Sequence, residues 1–159
     1  MVDAQVATEL LRERSLTSPA ADFGAPAGAE AWLAAMEIAM PDVTMSLICG
    51  WDGTASVYMS TGGGVIGAGE HEAVARAAQT FVAEAGAWVD DMLPLPDLSY
   101  PGVGRVRFFA RRADRCYVIE ADQAELVDGM VELSGLYTLG QSVITHVRRA
   151  SSSPPDSRH

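Results

Sequence analysis

Few residues of this 159-residue chain have the types and spacing that binding or catalytic chemistry requires. The glycines of segment 62–67 match G-x-G-x-x-G, a pattern in which the backbone approaches a pyrophosphate at a helix N-terminus. They follow the second arm of a predicted hairpin rather than the first strand of a parallel βαβ unit, and no Lys-Ser/Thr pair follows them. We interpret the segment as a flexible connector, with anion binding as the alternative.

A second group, Glu70, His71 and Glu72, begins the predicted middle helix. The second histidine of a helical zinc-protease site is missing, and acidic side chains in a first turn also stabilise a helix through its dipole. Cys49 and Cys116 fall in predicted strands and are interpreted as reduced core thiols, with a disulfide as the alternative. Without metal-ligand spacing or a G-x-S-x-G motif, we expect no metal, no cofactor and no enzyme activity.

Arginines form the third group. Arg105, Arg107 and Arg111 alternate along one face of a predicted strand, and five of the eleven basic residues fall within segment 105–115. One interpretation is a solvated face that protects an edge strand from aggregation. The other is a docking site for an acidic surface of a partner protein.

The overall charge limits the classes of partner that we expect the chain to bind. The formal net charge is −10 and every basic residue is an arginine. Such a chain repels phosphates, so we expect it to bind neither nucleic acid nor an anionic membrane. No apolar run approaches the roughly 20 residues of a membrane-spanning helix, and the N-terminus has no secretory pattern. These observations predict a cytoplasmic protein.

The domain organisation follows from composition. Residues 1–28 predict a helix and a Pro/Gly/Ala-rich linker, residues 29–149 one folded domain, and residues 150–159 a disordered tail. In the first helix, an apolar stripe lies opposite a charged one; the stripes consist of Val2, Val6, Leu10 and Leu11, and of Arg12, Glu13 and Arg14. A further helix is predicted over Ala29–Met40, ended by Pro41.

Two hairpins follow, one turning at Asp52-Gly53 and one after Ala110, and each is followed by a helix. This order predicts an α+β fold with one antiparallel sheet of four to five strands, flanked by helices on both faces. The Pro-rich loop 90–104 is long enough to contain an irregular edge strand around Leu95–Tyr100, and the sequence leaves open whether it does. Asp122 is predicted to cap the last helix, which Gly129 and other glycines weaken.

The middle helix has apolar or small residues on more of its circumference than packing on one sheet requires. We therefore predict a protein-interaction surface on this helix, at Ala73, Ala77, Ala78 and Phe81. A homodimer is the expected assembly. Together with the three alternating arginines described above, these residues are the candidate interaction sites.

Two stretches carry a family resemblance: AWLAAMEIAMPDVTMSLICGWDGTASVYMSTGGG and EHEAVARAAQTFVAEAGA. They resemble the roadblock/dynein light chain family over about residues 29–149. The resemblance implies an α-β-β-α-β-β-α order, a five-stranded sheet between the middle helix and the outer two, and homodimers joined through the middle helix and the neighbouring sheet edge. It also implies a non-enzymatic regulator or scaffold of small GTPases or other signalling proteins. A small-molecule sensor of profilin-like, PAS or GAF type is the alternative.

Overall fold

A computed structural model describes residues 4–17, 19–26, 28–65, 71–95 and 97–152. Over these residues the chain forms one antiparallel sheet of seven strands with four α-helices, so the predicted α+β class and single antiparallel sheet are confirmed. The helices are α1 (Ala4–Thr17), α2 (Glu72–Trp88), α3 (Gln123–Val127) and α4 (Ser134–Ser152). The strands are β1 (Leu33–Ala39), β2 (Thr44–Gly50), β3 (Ala55–Met59), β4 (Gly64–Val65), β5 (Leu93–Pro94), β6 (Arg105–Arg112) and β7 (Arg115–Asp122).

The strand order in the sheet is β4-β3-β2-β1-β6-β7-β5. The sheet exceeds the predicted four to five strands because two-residue strands close both edges. At one edge, Gly62 and Gly63 adopt positive φ and fold the chain back, so that β4 pairs with Val57 and Tyr58. At the other edge, β5 of loop 90–104 pairs with β7 through Leu93 and Pro94, just before segment 95–100.

The predicted helix over Ala29–Met40 is wrong, because Leu33–Ala39 is the central strand β1. It pairs with β2 on one side and β6 on the other, and all seven of its residues are buried. A strand covered on both faces has an apolar sequence without alternation, which cannot be distinguished from a buried helix by its pattern. Its alanines, leucine, methionine and glutamate are also good helix formers, which adds to the ambiguity.

Helices cover both faces of the sheet. On one face, α2 and α4 pack on each other and on the main core, which contains Met36, Leu47, Phe81 and Phe108. On the other face, α1 lies over a second cluster that includes Leu16. The middle helix thus shares its face with the last helix, and three strands longer than two residues precede it. This layout differs from the one that the roadblock resemblance implies.

The first helix is present, but its buried side is not the predicted apolar stripe. Thr8, Arg12 and Leu16 face the sheet, whereas Val6 and Leu10 are exposed. The reason is a carboxylate in the sheet, described below, that provides a buried partner for the arginine. The expected position of Val2 in the stripe lies outside the described residues.

The predicted last helix is divided into α3 and α4. Asp122 occupies the residue before α3, but its side chain makes no capping hydrogen bond. Gly129 then adopts a φ of +72°, which ends the first segment before α4 begins. Helix α4 extends to Ser152, and the remainder of the predicted disordered tail lies outside the described residues.

Candidate protein-interaction surface

Helix α2 is held on the sheet by one apolar side. The buried residues of this side are Val74, Ala78, Phe81, Val82, Ala85 and Gly86, spaced by one, three and four residues as a helix packed on one surface requires. At Gly86 an added Cβ would lie 3.2–3.3 Å from Glu30 and Ala31, so the small residue permits a close approach to that segment.

The opposite side of α2 faces solvent and carries mostly small residues. Ala73, Ala83 and Ala87 are exposed, and Ala77 is half-buried. The charged side chains of the helix are Glu72, Arg76 and Glu84, and the first two form an ion pair on its surface. A solvated helix normally carries more charge, so this side has the composition of a contact surface.

A groove of about 400 Å³ lies at the surface along the junction of α2 and α4. Helix α2 contributes Ala73, Arg76, Ala77 and Thr80, and helix α4 contributes Leu139, Ser142 and His146. His146 lies in the C-terminal half of α4. Its place in the groove depends on the packing of α4 beside α2, and no local sequence pattern predicts that packing.

A second groove, of about 240 Å³, lies on the other side of α2. Its walls are Gln79, Val82 and Ala83 of the helix and Trp51 at the tip of the β2–β3 hairpin. The Trp51 side chain is 41% exposed, and its carbonyl oxygen accepts a hydrogen bond from Gln79 Nε2 at 3.4 Å. Trp51 was not among the residues predicted from the sequence, although a large aromatic residue beside an Asp-Gly turn is a usable signal.

Of the four predicted positions on α2, two lie at the surface and two lie in the core. Ala73 and Ala77 line the groove beside α4, as a surface role requires. Ala78 and Phe81 have no exposed area and belong to the core beneath the helix. Only the outward side of α2 is therefore accessible to a partner.

The arginines of β6 do not form a solvated face. Arg105 is 44% exposed, Arg107 only 14%, and both contact Glu120 of the neighbouring strand β7. Arg111 is buried, and its guanidinium lies 4.6 Å from the ring centre of Trp32. Both interpretations of these three arginines assumed that their side chains are exposed. Strand β6 is an inner strand, however, and other parts of the chain cover most of the face on which the arginines lie.

A cavity of about 380 Å³ opens where the end of α1 meets the β6–β7 hairpin. Arg111, Cys116 and Leu16 are among its walls. Burial lowers the pKa of Arg111, and the Asp114 carboxylate partly offsets this effect. Burial raises the pKa of Cys116 to about 11. The Cys116 thiol is therefore protonated and unreactive at neutral pH.

The two cysteines lie on opposite faces of the sheet. Cys49 belongs to the core beneath α2 and α4, where burial strongly raises the pKa of its thiol. Cys116 packs against the cluster beneath α1. Both thiols are free, which agrees with the interpretation as core cysteines.

The remaining motif residues have structural roles where they are described. Gly62, Gly63 and Gly64 adopt positive φ and build the β3–β4 turn, while Gly67 and Glu70 lie outside the described residues. His71 precedes α2 without a capping side-chain hydrogen bond. Among the described residues, no group of three or more His, Cys, Asp or Glu side chains could hold a metal ion.

None of the helices in the described ranges combines the length and the apolar character that a bilayer crossing requires. Comparison with protein-family models, with curated proteins and with solved structures found no match for this chain.

Proposed function

We propose that this protein is a non-enzymatic interaction module that forms homodimers through the outward side of α2. The observation that carries the proposal is the shape of this surface. The outward alanines of α2 (Ala73, Ala77, Ala83 and Ala87) form a ridge between two grooves, one bordered by α4 and one by Trp51. Small side chains let a second helix approach closely, and tryptophan is a frequent anchor of protein interfaces.

The dimer would serve to present a further surface to a signalling protein. A small GTPase is the class of partner that the roadblock resemblance implies, and the acidic charge of −10 favours a protein partner over nucleic acid. Binding of a purified small GTPase, loaded with GDP or with a GTP analogue, tests this part of the proposal separately from dimerisation.

The dimer surface is tested by introducing a charge on the ridge. We expect Ala77→Glu and Ala73→Glu to convert the dimer to a monomer, because the new carboxylate would be buried without a partner. Ala124→Glu is the matched control, since Ala124 is an exposed alanine of α3 away from the ridge. Ala78→Glu is unsuitable because its carboxylate would enter the core.

The measurements are solution mass by light scattering and secondary structure by circular dichroism. Monomeric ridge variants with a native spectrum, beside a dimeric control, would support the proposal. Dimers of unchanged stability in both ridge variants would exclude α2 as the contact.

A small-molecule sensor is the second candidate, and the cavity beside Arg111 favours it. Its walls combine the Arg111 guanidinium with the Asp97 and Asp114 carboxylates and with apolar side chains, which suits a small ligand that carries both a carboxylate and an amino group. Thermal-shift measurements with a panel of free amino acids test this function. Stabilisation that disappears in Cys116→Trp, which would fill the cavity, would favour the sensor over the interaction module.

A further inference from the structure

Three exposed apolar side chains lie in two segments that meet at one end of the sheet. Val103 lies just before β6, Val127 is the last residue of α3 and Met130 follows it, and they are 66%, 63% and 73% exposed. The backbone joins the two segments, because the N–H of Gln123 at the start of α3 donates to the carbonyl oxygen of Gly104 at 2.9 Å. Several large apolar side chains exposed at one place are typical of a binding surface.

The way in which α3 ends keeps Met130 in solvent. The N–H of Met130 donates to the carbonyl oxygen of Glu125 at 3.0 Å, and the N–H of Gly129, which has positive φ, donates to that of Leu126 at 3.2 Å. In this type of helix ending, the residue after the glycine usually packs on an apolar residue five or six positions before it. Here those positions hold Glu125 and Ala124, both exposed. Met130 is therefore available to another molecule, and methionine adapts readily to the shape of a partner.

Carboxylates surround these apolar side chains. The turn between β1 and β2 lies at the same end of the sheet, because the carbonyl oxygen of Ala39 accepts a hydrogen bond from Gly104. Among the described residues, no salt bridge involves the acidic residues of these segments, which are Asp42, Asp122, Glu125, Asp128 and Glu132.

Cations are scarce around this surface. The sequence has no basic residue between Arg115 and Arg148, a stretch that includes all of α3 and the turn after it. Arg105, the first residue of β6, is already paired with Glu120 of β7. The carboxylates at this end of the sheet therefore have a charge that the chain itself does not balance.

We propose that this end of the sheet binds a basic amphipathic segment of a partner protein. Its apolar side chains would cover Val103, Val127 and Met130, and its arginines or lysines would pair with the surrounding carboxylates. The surface lies apart from the proposed dimer contact, since none of these residues lines either groove beside α2. The proposal rests on the proposed function only in treating the protein as an interaction module.

Charge complementarity selects this occupant. Carboxylates without internal partners attract a cationic segment, whereas they repel nucleic acid and anionic membranes. A second copy that presented the same end of its sheet would place these carboxylates against each other. The apolar side chains add an attraction that does not depend on charge, so the expected partner segment has both basic and apolar residues.

A synthetic peptide of arginine and leucine tests the surface. It is amphipathic, labelled with fluorescein and about 18 residues long, so that it can fold as a helix on the protein. Fluorescence anisotropy with the full chain measures its dissociation constant. We expect it to bind at least about tenfold more tightly than a scrambled peptide of the same composition, because only the amphipathic peptide presents its leucines on one side.

Two matched double variants locate the binding site. Met130→Ser/Glu125→Gln removes one apolar side chain and one carboxylate from the surface, and should raise the dissociation constant of the peptide at least about tenfold. Leu10→Ser/Glu13→Gln makes the same changes at exposed positions of α1 and should raise the constant less than about twofold. All four side chains are exposed, so both variants should keep the native circular dichroism spectrum.

The outcomes separate this binding surface from the α2 dimer. Equal effects of the two double variants, equal binding of the two peptides, or no binding of the amphipathic peptide would overturn the proposed surface. Ala77→Glu should leave the dissociation constant of the peptide unchanged. A monomeric chain that binds the peptide through Met130 and Glu125 would contradict the α2 dimer but support this surface, whereas a dimer that does not bind the peptide would do the reverse.

Discussion

Arg12 of α1 and Glu37 of the central strand β1 form a buried ion pair across 25 positions of the sequence. Arg12 is 3% exposed and Glu37 is 1% exposed. Arg12 donates from Nη2 to Glu37 Oε1 at 2.8 Å and from Nε to Oε2, and Ser46 Oγ donates to Oε2 at 2.6 Å. Because its hydrogen bonds are largely satisfied, this pair fixes α1 on the sheet.

The Arg12 guanidinium has two further contacts besides Glu37. Its Nη1 donates to the carbonyl oxygen of Leu98 at 2.6 Å, and its guanidinium lies 4.2 Å from the ring centre of Tyr100. Burial alone would lower the pKa of Arg12, but the hydrogen bond and the charge of Glu37 outweigh it and raise this pKa above its ordinary value. Arg12 is therefore charged at every accessible pH.

The first prediction is that Arg12→Met lowers the free energy of unfolding by about 3–5 kcal/mol, because it leaves the Glu37 carboxylate buried without its cation. Urea unfolding followed by circular dichroism measures the change. Arg14→Met, at an exposed position of the same helix, is the control and should change the value by less than about 0.5 kcal/mol. Equal urea midpoints for the two variants would contradict the assigned role of the pair.

The second prediction concerns two neighbouring glycines of the β3–β4 turn. Gly63 has a φ of +88° with open space around it, so Gly63→Ala should cost only about 1–2 kcal/mol of backbone strain. Gly64 has a φ of +143°, and an added Cβ would overlap the carbonyl oxygen of Val57. Gly64→Ala should therefore destabilise the protein distinctly more and weaken the β3–β4 pairing.

Thermal unfolding of the two variants compares these costs, and amide hydrogen exchange at Met59, whose N–H donates to the carbonyl oxygen of Gly63, reports on the β3–β4 side of the strand. Identical melting temperatures for Gly63→Ala and Gly64→Ala would show that the close approach at Gly64 has no energetic consequence.

The third prediction is a loss of stability in alkaline solution. Burial raises the pKa of Cys116 from 9.0 to about 11. The unfolded thiol ionises from about pH 9, whereas the folded thiol stays neutral, so its contribution to stability is complete below pH 9 and is lost as the pH rises towards 11. The slope should reach at most about 1.4 kcal/mol per pH unit for this thiol.

Urea unfolding between pH 8 and pH 10.5 measures that slope. Cys116→Ala should make it shallower, whereas Cys49 continues to contribute in both proteins because its thiol pKa is also raised by burial. Superimposable pH profiles of the variant and the original chain would contradict the prediction.

The fourth prediction concerns Trp51 at the tip of the β2–β3 hairpin. Trp51→Ser should raise the dimer dissociation constant by about 10–100-fold. The substitution removes a partly exposed tryptophan beside the α2 ridge, and with it the apolar area that this side chain would bury in the complex. Leu93→Ser is the matched control, since Leu93 is 72% exposed on a distant strand. Sedimentation equilibrium gives both constants, and an equal effect of the two substitutions would argue against a contact at Trp51.

Local patterns predicted the elements whose sequences alternate or have helical spacing. Strands β2 and β6 were found from alternation and their turns, since polar residues such as Thr44 and Ser46 alternate with apolar ones even though all seven residues of β2 are buried, and α2 was found from its three- and four-residue spacing. Strand β1 was mistaken for a helix since both of its faces are buried. The charged residue at its centre, Glu37, gave no indication of strand or helix.

Long-range pairing explains the other differences. The orientation of α1 depends on Arg12 reaching Glu37, which overrides the apolar stripe of Val6 and Leu10. The grooves beside α2 depend on where α4 and the hairpin tip at Trp51 come to lie. Sequence spacing within one helix carries no information about such neighbours, so it identified the ridge of small residues but not its surroundings.

The solution mass of the full chain tests the central claim most directly. One chain has a mass of 16.8 kDa, so light scattering at micromolar concentration should give about 34 kDa, twice that value. A dilution series should then show reversible dissociation into folded monomers. A mass near 17 kDa at every concentration up to the millimolar range would contradict the account, because the α2 ridge would then have no second copy to bind.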